Sequence, residues 1–175
     1  MNVEIRGVYL IAIKAIFPGI AAIVGPERGK YFESIDPAGW YGGDVYFDTI
    51  KYLRDHILPQ AMVLFGNQIL EEFIKLVPEI SSFGPRLLVS NVPEFYKKLV
   101  RGPDAGEWCV ESYEPGRVVL AENGASPSPA VSLGVLRGAL EMSGAYNVRS
   151  ELLNERIAGS KVNRYLIEWI HPSGE

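Results

Sequence analysis

The stretch WCVESYEPGRVVL, residues 108–120, sets Tyr113 and Arg117 four positions apart with Pro115 between them. A phenol and a guanidinium both donate to anions, and bonds to ionised acceptors are the stronger ones, so the pair could hold a carboxylate. Pro115 has no donor, however, and Pro115-Gly116 fits the centre of a type II turn between two strands. The two residues are then either a clamp or the two sides of a hairpin. The single cysteine, Cys109, has no histidine or charged helper nearby in sequence and reads as a small apolar strand residue. One cysteine excludes an internal disulfide and a Cys-rich zinc cage, which suits a reducing cytoplasm. His56 lies at the edge of an apolar helix face, and His171 lies in the tail HPSGE; neither is read as a ligand. Asp44, Asp48 and Asp55 fall near one side of a helix with Lys51 among them, the pattern of a solvated face. There is no Gly-x-Ser-x-Gly elbow, and GPERGK lacks the spacing and hydroxyl of a nucleotide loop. No catalytic or metal-binding residue is assigned, and the chain is read as a non-enzyme.

The chain has 175 residues, 47% of them apolar and 22% charged, enough for one sizeable core. A single domain over 1–175 is expected, mainly helical over 1–104 and sheet-containing over 105–172. The net charge of −4, with scattered lysines and arginines, argues against a nucleic-acid surface. The most apolar window, residues 7–25, carries Lys14 at its centre and Pro18-Gly19 beyond it. A spanning helix would hold a charge and a kink near mid-bilayer, so no membrane insertion is expected, and no signal-peptide cleavage pattern follows. The window is read as a buried strand or helix that opens the domain.

Residues 25–43, rich in glycine, read as an irregular connector. Tyr46, Ile50, Leu53 and Ile57 then recur at the spacing of one helix face, and Pro59 interrupts or restarts it. Met62, Phe65, Ile69, Phe73 and Leu76 form the stripe of a second helix, which ends near Pro78. After a loop SSFGPR, a short helix carries Val92, Phe95, Tyr96 and Leu99, with Asn91 or Ser90 as its cap. EWCVESY and RVVLAE read as strands. The polar linker NGASPSP leads to a helix with Leu133, Leu136 and Leu140 on one face and Gly144 at its end. YNVRSELL and NRYLIEWI read as further strands around a loop NERIAGSK. The sum is an α+β domain: a helical layer on a roughly four-stranded antiparallel sheet with an inter-strand helix.

Six segments carry a likeness to known proteins: EIRGVYLIAIKAI, GNQILEEFIKLVPEI, VPEFYKKLVRG, WCVESYEPGRVVLAENG, LGVLRGALEMSGAYNV and NRYLIEWI. Over most of its length the chain resembles the haem nitric oxide/oxygen-binding (H-NOX) domain and its haem-free relatives, the 4-vinyl reductase-type sensory domains and TRAPP-like transport proteins. In the haem-binding members a tyrosine, a serine and an arginine at alternate strand positions hold the propionates. Tyr113 and Arg117 match two of these, and Pro115 takes the middle place. Those members also supply an axial histidine from the preceding helix. VPEFYKKLVRG has none, the matching position falls at or near Pro93, and Tyr96 is the only nearby alternative. The resemblance therefore implies a sensory or scaffolding module without haem or other cofactor, which binds a small apolar ligand or a protein partner, often a second copy as a homodimer. The alternative is a haem gas sensor with an atypical axial ligand. Haem-free relatives enclose an apolar cavity between helices and sheet, for which Phe65, Ile69, Phe73, Phe95 and Leu99 are the candidate lining; plain core packing is the other reading. Trp40 and Tyr41 could cap that pocket or an interface, or simply pack on the body.

Overall fold

A computed structural model of the chain describes residues 2–124, 128–154 and 162–170. Most of the loop NERIAGSK, part of the linker NGASPSP and the tail with His171 lie outside the described residues. Strand β1 (Glu4–Arg6) leads into α1 (Val8–Ile16), which buries Val8, Tyr9, Leu10, Ala12 and Ile13. The charge at the centre of the apolar window is accommodated: Lys14 Nζ donates to Phe32 O at 2.6 Å. Among the described residues no helix is long and apolar enough to cross a membrane.

Residues 25–43 are more ordered than an irregular connector. The short helix α2 (Ile20–Ile23) precedes them, and they hold α3 (Pro26–Gly29), a 3-10 turn, and β2 (Trp40–Gly42). β2 pairs with one side of β1, and β3 (Val100–Arg101) pairs with the other, giving a three-stranded sheet. Each partner is remote in sequence, so no local periodicity marks these strands.

Helix α4 (Gly43–His56) and helix α5 (Pro59–Leu76) follow the expected stripes, with Pro59 starting α5 at a position where a missing N–H costs nothing. The expected loop SSFGPR instead runs from a 3-10 turn into α6 (Pro85–Ser90). Asn91 does not cap α7 (Val92–Leu99) with its side chain; its Nδ2 donates back to Leu87 O at 2.8 Å, closing α6.

The larger sheet has the order β4-β5-β7-β6, all antiparallel: β4 (Glu107–Glu114), β5 (Arg117–Asn123), β6 (Tyr146–Asn154) and β7 (Val162–Ile170). Gly116 has φ +78°, and proline holds φ negative, so Pro115-Gly116 makes the type II turn between β4 and β5. Helix α8 (Pro129–Met142) connects β5 to β6 and ends before Gly144, at φ +90°. α8 lies against α5 at a crossing where Gly66 meets Gly134. Val118, Leu120 and Glu122 of β5 face the core together with Tyr165, Ile167 and Trp169 of β7. The architecture is α+β, with the helical layer on a four-stranded antiparallel sheet.

Candidate functional site

Between the helices and the inner face of the sheet lies a cavity with about 120 Å³ open to the centre of a water molecule. α7 contributes Val92, Phe95, Tyr96 and Leu99; α5 contributes Leu70 and Phe73; α8 contributes Val131, Ser132, Val135, Leu136 and Ala139. Tyr9 of α1 and Tyr46 of α4 close one side, and Trp108 of β4 and Glu122 of β5 form the sheet wall. The walls are otherwise almost wholly apolar, so its few oxygens decide its chemistry.

Glu122 is 4% exposed. The strand alternation that turns Val118 and Leu120 inward also turns Glu122 inward. Burying a carboxylate costs several kcal/mol unless hydrogen bonds offset it, and the fold supplies them. Tyr165 Oη donates to Glu122 Oε2, Asn163 Nδ2 donates to the same oxygen at 3.2 Å, and Ser132 Oγ reaches Oε1 at 3.4 Å. Asn163 stands opposite Glu122 across β5 and β7, and Trp108 stands opposite it across β4 and β5. Trp108 stacks on Tyr165 with ring centroids 5.3 Å apart.

Three phenols share this space. Burial, with the neighbouring phenol of Tyr96 and the Glu122 carboxyl adding to it, raises the pKa of Tyr9 far above the ordinary phenol value. Burial does the same for Tyr46, helped by Tyr9, Glu122 and Tyr96. Tyr96 is raised by burial and then by Glu122. All three therefore stay neutral at physiological pH. Tyr96 Oη donates to Ala105 O at 2.6 Å. Among the described residues, neither the Tyr9 nor the Tyr46 hydroxyl has a hydrogen-bonding partner. Both hydroxyls open on the cavity; the side-chain atoms sealed in packing without a partner among the described residues are instead Asn67 Oδ1 and Trp169 Nε1.

Of the candidates read from the sequence, Phe73, Phe95 and Leu99 line the cavity. Phe65 and Ile69 are buried on the same α5 stripe but stand behind the wall, with the Phe65 ring 6.4 Å from that of Tyr46. Trp40 and Tyr41 belong to the smaller sheet. The guanidiniums of Arg6 and Arg101 lie over the Trp40 ring, 4.1 and 4.0 Å from its centroid, and Tyr41 Oη accepts from Asp36 N at 2.9 Å. Tyr113 and Arg117 part across the hairpin. A bulge in β4 between Val110 and Ser112 puts Tyr113 opposite the buried Val118, near Trp169. Arg117, next to Val118, faces the other way, with Nε 3.8 Å from Glu168 Oε1 in an exposed pair. They do not converge on one anion. The sequence singles out neither Glu122 nor Tyr9, and Tyr46 only as part of an apolar helix face, although an acidic residue in phase with Val118 and Leu120 is a legible signal.

His56 is exposed, stacked on Tyr52 at 4.1 Å. Cys109 is exposed on β4. Asp48 pairs with Arg28 and Asp55 with Arg54 on the solvated side of α4. Among the described residues no group of three His, Cys, Asp or Glu could hold a metal ion.

The residues present do not fit haem. Among the described residues no histidine lines the cavity, the Tyr96 hydroxyl is spent on a backbone carbonyl, and Pro93 cannot ligate.

No family model matches the chain, and no curated protein is similar to it in sequence. Solved structures are similar in shape. One is an H-NOX protein from S. oneidensis in the Fe(II) ligation state, a triple mutant, with TM-score 0.70, 14% identity and 97% of each chain covered. Another is a Cs H-NOX mutant carrying 4-cyano-L-phenylalanine, with TM-score 0.71, 11% identity, and 97% of this chain and 99% of that one covered. A third is an oxygen-binding H-NOX domain related to soluble guanylate cyclases, with TM-score 0.66, 12% identity, and 97% and 95% covered. The chain thus has the H-NOX fold along nearly its whole length.

Proposed function

We propose that this chain is a haem-free, non-enzymatic sensory or scaffolding domain whose cavity receives a small apolar ligand, and that it acts through a protein partner, a second copy of itself included. The observation that carries this reading is the cavity between helices and sheet, walled by apolar side chains, with Glu122 and three phenols in place of a histidine. The likeness to H-NOX structures supports a ligand-binding use of that space, because enclosed apolar pockets with a few convergent polar groups are the usual form of small-molecule sites.

The test is an absorption spectrum of the purified protein before and after haem addition and gel filtration, with native mass spectrometry on the same sample. A flat Soret region together with a retained small molecule supports the reading. A Soret band that survives gel filtration replaces it with a haem sensor of atypical ligation, for which Tyr96 is the phenol already at the cavity wall.

A further inference from the structure

Tyr9 and Tyr46 are 9% and 3% exposed, their rings lie 4.7 Å apart, and both line the cavity. Among the described residues their hydroxyls have no partner, although the fold has satisfied Tyr96, Tyr165 and Asn163 nearby. Packing alone does not call for a phenol in place of phenylalanine at either position. Two open hydroxyls beside a carboxyl, in an otherwise greasy space, are the signature of a recognition point.

We propose that the cavity holds an amphiphile with an apolar body and a hydrogen-bond-donating head, a hydroxyl or a protonated amine, received by Tyr9, Tyr46 and Glu122. The proposal rests on the reading of the cavity as a ligand site and names the ligand's class. Tyr165, Asn163 and Ser132 all aim donors at Glu122, and in its ionised form it only accepts, so it selects a donor. A phenol donates and accepts, so Tyr9 and Tyr46 suit either head. An anionic head is rejected, because a second negative charge beside Glu122 in low dielectric is unfavourable.

Four probes of nearly one shape test this on the whole chain by calorimetry: 2-phenylethanol, 2-phenylethylamine, ethylbenzene and phenylacetate. The alcohol and the amine are expected to bind at least about tenfold more tightly than ethylbenzene, the equivalent of one good hydrogen bond. Phenylacetate is expected to bind more weakly than ethylbenzene. Equal affinity for alcohol, amine and ethylbenzene overturns the head assignment and leaves the cavity reading intact; silence from all four overturns both. The double variant Tyr9→Phe/Tyr46→Phe is expected to bind ethylbenzene as before and to lose the gain for the alcohol. Undiminished alcohol binding in that variant overturns the role of the phenols. Glu122→Gln is expected to weaken the amine and admit phenylacetate, and an unchanged rank order in a folded variant overturns the role of the carboxyl.

Discussion

Gly66 and Gly134 meet where α5 crosses α8, so closely that a Cβ on Gly66 would stand 2.2 Å from Val131 O and one on Gly134 would stand 2.1 Å from Val63 O. Both obstacles are backbone atoms and cannot swing aside. Gly66→Ala and Gly134→Ala are each expected to destabilise by about 1–3 kcal/mol or more, the cost of overpacking. Gly19→Ala, with nothing within 4 Å of the new carbon, should stay within about 0.5 kcal/mol. Urea melts of the three variants check the contrast.

Tyr165→Phe removes a hydroxyl that donates to the buried Glu122 carboxyl. Hydrogen bonds to charged groups are worth about 1.5–3 kcal/mol, so a loss of that size is expected in thermal unfolding. A change under about 0.5 kcal/mol would mean that Glu122 is carried by its other donors.

Tyr9, Tyr46 and Tyr96 hold their protons in the fold above the ordinary phenol value of 10.0. Above that pH the unfolded chain has lost these protons while the folded chain keeps them. Stability is therefore constant from this source below pH 10 and falls above it, by about 1.4 kcal/mol per pH unit for each phenol. An absorbance titration should show fewer than the nine tyrosines ionising before unfolding. Tyr9→Phe should make the alkaline slope shallower.

Arg117→Ala removes one half of an exposed ion pair with Glu168. Such pairs contribute about 0–1 kcal/mol, and the side chain faces away from the cavity. Stability is expected to change within that range and probe binding not at all. Loss of a bound ligand in this variant would show that the outer face of the hairpin takes part in recognition.

The large elements were legible because their cause is local. The stripe from Met62 to Phe73 buries one side of α5, and Pro115-Gly116 turns β4 into β5. The smaller sheet was not legible, since strands of two and three residues rest on pairings such as Arg6 with Trp40 and Ile5 with Val100. The site was half legible. Phe73, Phe95 and Leu99 follow from helix periodicity, but the oxygens of the site come from α1, α4, α7, α8 and β5, which only the folded chain brings together. The Tyr113–Arg117 spacing misled for a related reason: a turn and a bulge between the two residues reset which way each one faces.

Trp108 stands on the sheet side of the cavity, stacked on the tyrosine that holds Glu122, whereas Trp40 sits remote from it beneath two guanidiniums. The molecule thus carries its own optical gauge. An occupant alters the medium around the Trp108 indole and shifts its emission, while Trp40 and Trp169, neither of which lines the cavity, contribute a steady background to the same spectrum. Extracts and compound collections can then be surveyed for the natural occupant without attaching any dye.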